Sequence, residues 1–386
     1  MKIDVLKEAR AIEEELIRNR RHLHAHAEVG FELEKTVKFV YETLTSYGLS
    51  PRYLTPHGVT ATVGKGRPVV LLRADMDALP GTERSAVDFR SEENMHMCGH
   101  DMHTAMLLGA AKLLKAHEAE LEGMVKFVFQ PAEELLMGAR SLIDAGLLEN
   151  PEPDAAFMIH VNTLDEPALY IKSGVMTTTN NNFRITVRGK SAHGAMPELA
   201  IDATYVGAKI VTALPAIVAR EIPFAHSAVV TTGHFVAGDS PNSIPDTAVI
   251  EGTIRSFDEE IHAFVRKRVI EIAKSVAHTY RAEAEVEILS EATVVKNDPA
   301  LADLAREAAI AAGIDVREAK AVQASEDFSF IASRVPSVMM MLGVKPDLGE
   351  VYPLHNPHAV FNETSMKIGV AALAAIAVAF LQTRKK

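Results

Sequence analysis

Apolar and polar positions follow one rhythm over the first part of the chain. Up to about residue 173, short apolar runs of strand length alternate with segments whose apolar positions recur at helical spacing. The strand-like runs are VVLLRADMDAL, GMVKFVFQ and AAFMIHV, and the helical segments between them are TAMLLGAAKLLKAH and GARSLIDAGLL. Strands that alternate with helices predict a largely parallel sheet with helices on its faces.

The rhythm changes from about residue 180, where the pattern reads strand, helix, strand, strand, helix, strand. We expect Pro215 to bend the first of these helices and Asp258 to cap the start of the second. This order is typical of a ferredoxin-like unit. The first rhythm resumes at about residue 291. We therefore predict an α/β domain over 1–176 and 291–386, into which a ferredoxin-like (βαββαβ) α+β domain over 177–290 is inserted.

Composition excludes several classes of function. The 386 residues carry a formal net charge of −11, and phosphate binding needs a basic face, so we expect no nucleic-acid partner. The single cysteine cannot form an internal disulfide. The N-terminus is charged and helical, without the apolar core of a signal peptide. The apolar run near the C-terminus, about 15 residues, is short for a bilayer and predicts a buried helix. We expect a cytoplasmic protein without a membrane span.

Polar side chains follow the predicted strands at the points where they end. Asp75 and Asp77 follow the first strand, Glu133 and Glu134 follow the second, and His160 ends the third. Ligands of parallel sheets bind outside the carboxyl ends of the strands, so these residues mark a candidate site.

A metal explains why the only cysteine lies in the segment HMCGHDMHTA. Cys98 and His100 are one residue apart, and two adjacent buried carboxylates in QPAEE would repel each other without a cation. Together with Glu134, His160 and His355, Cys98 and His100 make a mixed set of sulfur, nitrogen and oxygen ligands, which suits a divalent transition metal. His358 is an alternative ligand. His22, His24 and His26 are better explained by packing or capping, and His103, where a helix begins, by hydrogen bonding. A buried hydrophobe or a redox thiol is the other interpretation of Cys98.

Nine motifs, in order, resemble the N-acyl-amino-acid amidohydrolases, and the resemblance runs from about residue 18 to 380. The motifs are RADMDALP, CGHDMHTA, FQPAEE, GARSLIDAGLL, SAHGAMPE, NSIPD, GTIRSFD, SEDFSF and LHNPHAVFN. This group includes hippurate hydrolases and plant indoleacetyl-amino-acid hydrolases, within the aminoacylase and metallo-carboxypeptidase family. The resemblance implies a zinc-peptidase-like α/β catalytic domain with an inserted ferredoxin-like lid or dimerisation domain.

The resemblance also implies residue roles. It assigns two divalent metal ions per subunit (manganese, zinc, cobalt or nickel) to Cys98, His100, Glu134, His160 and His355. Glu133 matches the general acid/base, and His193 matches a lid histidine that polarises the scissile carbonyl in the partner subunit's active site. Asn242 and Arg255 match positions that hold the substrate carboxylate, and Asp77 matches an acidic residue that orients a ligand histidine.

Other roles for these residues stay open at this stage. Glu133 as a ligand with Glu134 as the base is one alternative, and His193 as a turn residue is another. A third alternative is that Arg255 is an exposed strand residue paired with Asp258. A fourth is that Asp77 simply hydrogen-bonds the end of the strand. In two-metal relatives with a His-x-Asp motif, a histidine stands near position 75, where this chain has Asp75. The resemblance places this chain, through Cys98, in the subgroup whose members replace that histidine.

We predict a homodimeric enzyme that hydrolyses the amide bond of N-acyl amino acids to a carboxylate and a free amino acid. A dipeptidase or carboxypeptidase would use the same chemistry, and a non-catalytic metal- or ligand-binding protein would keep the same fold. A thiol-redox protein is disfavoured because no second cysteine is present to resolve an oxidised Cys98.

Overall fold

The computed structural model describes residues 4–383, which divide into two compact units. The larger unit consists of Met1–Met176, Val295–Ala321 and Asp327–Lys386. The smaller unit consists of Thr177–Val294 and Val322–Glu326. The chain thus leaves the larger unit twice. The pattern of apolar and polar positions does not predict the second, short segment, Val322–Glu326.

The described residues form ten α-helices and eighteen strands. The helices are α1 (Val5–Ala11), α2 (Glu13–Ala25), α3 (Glu34–Ser46), α4 (His100–Ala116), α5 (Gly138–Asp144), α6 (Ala203–Ala213), α7 (Glu259–Thr279), α8 (Pro299–Ala311), α9 (Ser329–Ala332) and α10 (Met366–Thr383). The strands are β1 (Arg52–Thr55), β2 (Gly58–Gly64), β3 (Val69–Asp75), β4 (Leu79–Pro80), β5 (Asn94–Met95), β6 (Met124–Gln130), β7 (Ala155–Asn162), β8 (Leu169–Ile171), β9 (Gly174–Val175), β10 (Asn180–Arg188), β11 (Ala192–His193), β12 (Ala228–Ala237), β13 (Ser243–Ile244), β14 (Thr247–Ser256), β15 (Glu283–Ala292), β16 (Lys296–Asn297), β17 (Val316–Glu318) and β18 (Ser337–Gly343).

An eight-stranded sheet in the order β1-β2-β6-β3-β7-β18-β8-β17 forms the centre of the larger unit. The neighbours β6, β3, β7 and β18 run parallel, whereas β1 and β2 add to one edge in antiparallel fashion. Every residue of β3 and β18 is buried. Continuous apolar runs are what a parallel sheet covered on both faces requires. The predicted α/β architecture is confirmed.

The apolar C-terminal helix α10 belongs to the core of the larger unit. It packs against α4, α1 and α8, and its side chains Val370, Leu373 and Phe380 are buried. Among the residues described, Glu363–Thr383 is the one helix long and apolar enough to cross a membrane, and 67% of its most apolar window is buried inside the protein. Packing within the core therefore accounts for its hydrophobicity.

The smaller unit is the predicted ferredoxin-like fold. Its antiparallel sheet has the order β12-β14-β10-β15, and α6 and α7 pack against it. Alternate residues of β10, among them Phe183, Ile185 and Val187, are buried with the apolar faces of the two helices. Alternation of buried and exposed residues is expected for a sheet that is covered on one face.

Both predicted helix signals in the smaller unit are confirmed. The α-helix α6 ends at Ala213, two residues before Pro215, and the chain continues as a π-helical turn over Ile217–Glu221. Proline has no N–H to continue the α-helical hydrogen bonds. Asp258 caps α7, because its Oδ1 accepts hydrogen bonds from the N–H groups of Glu260 (2.9 Å) and Ile261 (3.1 Å).

Candidate metal centre

The C-terminal ends of three parallel strands carry the predicted site residues of the larger unit. Asp77 follows β3, Glu133 and Glu134 follow β6, and His160 lies near the C-terminal end of β7. The carboxyl ends of parallel strands meet at one edge of the sheet, which brings these residues together.

Gly99 shapes the turn that carries Cys98 and His100 into α4. Its φ of +86° lies in the left-handed region, and a Cβ at this position would lie 2.3 Å from Cγ2 of Val161. Glycine alone satisfies both conditions without strain. The turn leaves the Cys98 thiol and the His100 imidazole within 4.8 Å of a ligand atom of His160.

The thiol lies between two imidazoles. Sγ of Cys98 is 3.6 Å from Nε2 of His160 and 3.3 Å from Nε2 of His355. His355 comes from the loop after β18, with a φ of +65°, and its N–H donates to the carbonyl of Met97 (2.8 Å). The distant His355 is thus anchored directly beside the Cys98 loop.

The two carboxylates complete the cluster. Nε2 of His100 lies 3.9 Å from Oε2 of Glu133 and 3.9 Å from Oε1 of Glu134. Oε1 of Glu134 is also 3.6 Å from Nε2 of His355. Asp77 holds this loop, because its carboxylate accepts the N–H groups of Glu133 (3.0 Å) and Glu134 (3.1 Å). The structure therefore brings all five predicted ligands and Glu133 together.

Unsatisfied buried atoms in the cluster fit a bound cation. Nδ1 of His100 donates to the carbonyl of Asp77 (2.8 Å) and Nδ1 of His160 donates to the carbonyl of Val161 (2.8 Å), which leaves both Nε2 atoms with a lone pair. Within residues 4–383, Nε2 of His100 and Oε1 of Glu134 are buried without a hydrogen-bond partner. Buried polar atoms normally have partners, and a metal ion would supply one to both.

The electrostatics of the cluster also favour a cation. Burial, followed by the charge of Glu134, raises the pKa of the Cys98 thiol well above its usual value. Burial also raises the pKa of Glu134, and burial holds the pKa of His160 well below its usual value. Burial therefore disfavours the charged form of each of these three groups. A divalent ion reverses this preference for the thiol and the carboxyl, since it stabilises their deprotonated forms.

The alternative histidines lie elsewhere. His358 is exposed and packs against Tyr352 (ring centroids 5.5 Å apart), and none of the potential metal-binding groups found among the described residues includes it. His24 is buried between Asp101 and Glu83. His26 hydrogen-bonds the carbonyl of His22 (2.8 Å). The cluster contains His355, and packing and hydrogen bonding account for the N-terminal histidines.

A buried polar network beside the centre was not predicted from the sequence. Arg73, in the middle of β3, donates to Asp75 (2.7 Å), Gln130 (3.0 Å) and Asp327 (2.9 Å). Oδ2 of Asp75 is in turn 3.6 Å from Nε2 of His100. The available signal was the arginine itself, since a charged residue within an apolar strand needs buried partners.

The three predicted residues of the smaller unit form two groups. His193 and Asn242 are neighbours, because β11 pairs with β13 and the N–H of Gly194 donates to the carbonyl of Asn242 (2.8 Å). Both side chains are exposed. Arg255 lies on β14, is half-buried and donates to Oγ of Ser325 (3.3 Å), and burial lowers its pKa.

Comparison with known proteins gives consistent matches over nearly the whole chain. The sequence profile of peptidase family M20/M25/M40 matches residues 71–379. The chain is 34% identical to N-acetylcysteine deacetylase of Bacillus subtilis (strain 168), over 97% of this chain and 99% of that protein. It is 40% identical to the N-acyl-L-amino acid amidohydrolase of Geobacillus stearothermophilus, over 71% of this chain and 75% of that protein. The crystal structure of a dinuclear metal-binding M20 peptidase from Bacillus subtilis has a TM-score of 0.83 and 31% identity, and covers 97% of this chain and 99% of that one.

Proposed function

The chain belongs to peptidase family M20/M25/M40 and is a hydrolase, and we propose that it hydrolyses the amide bond of N-acyl amino acids. The observation that carries the proposal is the convergence of Cys98, His100, Glu134, His160 and His355 around unpartnered lone pairs, with Glu133 beside them. The products are a carboxylate and a free amino acid.

We assign a pair of divalent ions to the five clustered side chains. Manganese, zinc, cobalt and nickel all accept a mixed sulfur, nitrogen and oxygen set. When bound, such ions lower the pKa of water from about 15.7 toward 7 and polarise a carbonyl oxygen. The Cys98 thiolate, the Glu134 carboxylate and the imidazoles of His100, His160 and His355 would supply the ligand atoms.

Glu133 is the proposed proton carrier. Its backbone is fixed by Asp77 (N–H to Oδ1, 3.0 Å), and its Oε2 lies 3.9 Å from Nε2 of His100. Its carboxylate would take the proton of the attacking water and deliver it to the nitrogen of the leaving amine. Positioned proton transfer of this kind contributes roughly 10²–10⁴-fold to the rate.

The smaller unit supplies the proposed substrate contacts. Arg255 carries a permanently charged planar fork that matches the carboxylate of an amino acid, and Asn242 adds a neutral donor. His193, exposed on a two-residue strand, would donate a hydrogen bond to the oxygen of the scissile carbonyl as negative charge develops there. Asp77 would orient His100 through its carbonyl (2.8 Å).

We propose a homodimer that forms through the smaller unit, with His193 acting in the partner's active site. The support is β12, an edge strand of the four-stranded sheet on which Val229, Phe235 and Val236 are exposed. An edge strand with exposed apolar side chains is a template for pairing with a second chain. A cytoplasmic location is also part of the proposal, and it agrees with the single cysteine, which cannot form the internal disulfides typical of oxidising compartments.

The first test is metal content and hydrolysis of a small substrate panel, with and without a chelator. The panel contains N-acetyl, N-benzoyl and indoleacetyl amino acids beside simple dipeptides. We expect about two metal ions per chain, loss of activity with the chelator, and recovery with manganese, cobalt or zinc.

Each outcome of the panel has a defined meaning. Preferred cleavage of acyl amino acids supports the proposal, and preferred cleavage of dipeptides replaces it with a dipeptidase or carboxypeptidase. Metal retention without hydrolysis of any substrate leaves a binding protein. Absence of metal, together with a freely titrating Cys98 thiol, would overturn the metal centre.

A further inference from the structure

His103 is buried beside the metal centre, but it is not aimed into it. It lies in the first turn of α4 and is 2% exposed. Its Nδ1 lies 2.6 Å from Oδ1 of Asp75, and its Nε2 lies 2.9 Å from the backbone nitrogen of Val161. Both ring nitrogens are therefore engaged by protein atoms, and neither is available to a metal ion.

These two partners define the tautomer of His103. A peptide N–H can only donate, so Nε2 carries the lone pair that accepts from Val161. The Asp75 carboxylate also receives a hydrogen bond from Arg73 (2.7 Å). Since Nε2 accepts, Nδ1 is the ring nitrogen that donates, and Oδ1 of Asp75 accepts its hydrogen bond. The ring therefore uses one donor and one acceptor.

The position of His103 coincides with a split in the central sheet. β3 pairs with β7 only from Val70 opposite Ala155 to Arg73 opposite Met158. Beyond that point β3 continues to Asp75 beside β6, whereas β7 continues to His160 beside β18. The His103 side chain spans this gap, since it connects Asp75 at the end of β3 with Val161 of β7.

Two ligand imidazoles pack against the same ring. The centroid of the His103 ring is 4.6 Å from that of His160 and 5.3 Å from that of His100. His160 precedes Val161, whose N–H is held by His103, and His100 lies one helical turn before His103 on α4. A single side chain thus contacts both ligand-bearing elements and sets the distance between them.

We propose that His103 is a positioning residue of the metal centre, which holds the strand of His160 at a fixed distance from the helix of His100. This inference rests on the proposed function, because it concerns the geometry of the same centre. Loss of the bond to Val161 should let the end of β7 move relative to α4. The ligands would remain, but their geometry would change.

Conservative substitutions separate the two hydrogen bonds. In H103N the amide nitrogen takes the place of Nδ1, which keeps the bond to Asp75 and loses the one to Val161. In H103Q the amide oxygen reaches the place of Nε2, which keeps the bond to Val161. H117N is the matched control, because His117 is the histidine that follows the other end of α4 and it bonds Glu8 and Glu120.

The measurement is a Co²⁺ titration of metal-free protein, followed by the visible absorption of the bound ion. We expect H103N to weaken Co²⁺ binding by about 10–100-fold, as loss of a partner that orients a ligand typically does, and to shift the absorption bands. H103Q should stay within about threefold of the wild-type affinity with unchanged bands, and so should H117N.

The outcomes separate this inference from the proposed function. Wild-type protein that binds no Co²⁺ and hydrolyses no substrate would contradict the proposed function. Wild-type binding combined with an unaltered affinity and spectrum in folded H103N would overturn the positioning role alone. If H103N does not fold, H103Q decides: a wild-type spectrum supports the inference, and a shifted spectrum with weak binding refutes it.

Discussion

Neighbouring side chains in the same loop acquire different roles because their surroundings differ. Glu133 and Glu134 have adjacent backbone N–H groups that bond the two oxygens of one Asp77 carboxylate. Oε1 of Glu134 lies 3.6 Å from Nε2 of His355, and this atom is buried without a hydrogen-bond partner in the described part of the chain. These contacts favour Glu134 as the ligand and Glu133 as the acid/base, which the sequence left open.

Substitution of each carboxylate by its amide tests this division. We expect E133Q to lower kcat by roughly 10²–10⁴-fold with unchanged metal content, because the amide cannot carry the proton. E134Q should instead lose metal, because an amide oxygen is a weaker ligand than a carboxylate. Steady-state kinetics and metal analysis of both variants are the measurements. Metal loss in E133Q with retention in E134Q would reverse the two assignments.

At the scale of elements, a buried charge network joins α2 to α4 and to the loop that follows β4. His24 on α2 contacts Asp101 of α4 through Nδ1 (2.8 Å) and Glu83 of that loop through Nε2 (3.0 Å). Arg20, one turn earlier on α2, donates to the same oxygen of Asp101 (2.7 Å). Since Asp101 follows His100 directly, this network fixes the first turn of α4.

The network makes stability depend on pH. Burial lowers the pKa of His24, but the hydrogen bonds to Asp101 and Glu83 outweigh burial and raise it above its usual value. A raised pKa in the folded state means that the stabilisation is complete below the unfolded-state pKa of about 6.5 and is lost as pH rises through the folded-state pKa. The charge of Arg20 opposes the protonation of His24.

We therefore expect H24Q to lower the free energy of unfolding by roughly 3–5 kcal/mol at pH 6, and by less as the pH increases. Denaturant unfolding between about pH 6 and 9 measures the difference between variant and wild type. H26Q is the control, because His26 lies in the same segment and is exposed. Among the described residues, its side chain hydrogen-bonds only the backbone carbonyl of His22. A difference between H24Q and wild type that does not change with pH would contradict the protonated His24.

At the scale of the whole molecule, our proposal assigns active-site roles to residues of both units and requires two chains. The proposed metal ligands and Glu133 lie in the larger unit, and His193, Asn242 and Arg255 lie in the smaller unit. The exposed apolar side chains of the edge strand β12 support association of two smaller units. In such a dimer, an E133A change on one chain and an H193A change on the other would fall in the same active site and leave the second site intact.

Mixed dimers test this arrangement. Neither E133A nor H193A should be active alone, whereas dimers that contain one chain of each should have one intact site. Random mixing of equal amounts should restore about a quarter of the wild-type activity. A mixture of E133A with E134A is the control, since both changes fall in the same unit and no intact site forms. Absence of recovery in verified mixed dimers would place His193 in its own chain's site or outside catalysis.

Most of the fold could be predicted from the sequence, because it depends on local periodicity. The runs VVLLRAD and MVKFVFQ indicate strands buried on both faces, and the smaller unit's order of elements indicates its topology. The types of the proposed ligands were also evident, since Cys98, Glu134, His160 and His355 lie at strand ends or in loops and His100 begins α4. Side-chain chemistry and position relative to a strand end are local properties that a sequence displays directly.

The tertiary structure decided which side chains face one another. His355 rather than His358 lies beside the Cys98 thiol, because the backbone N–H of His355 donates a hydrogen bond to the carbonyl of Met97. The proposed role of His103 depends on a split between β3 and β7 that no periodic pattern records. Such contacts join residues far apart in sequence, and their distances depend on how strands diverge and how helices pack. The sequence by itself therefore determined the elements and the chemistry of the site, and only the packing of those elements decided its geometry.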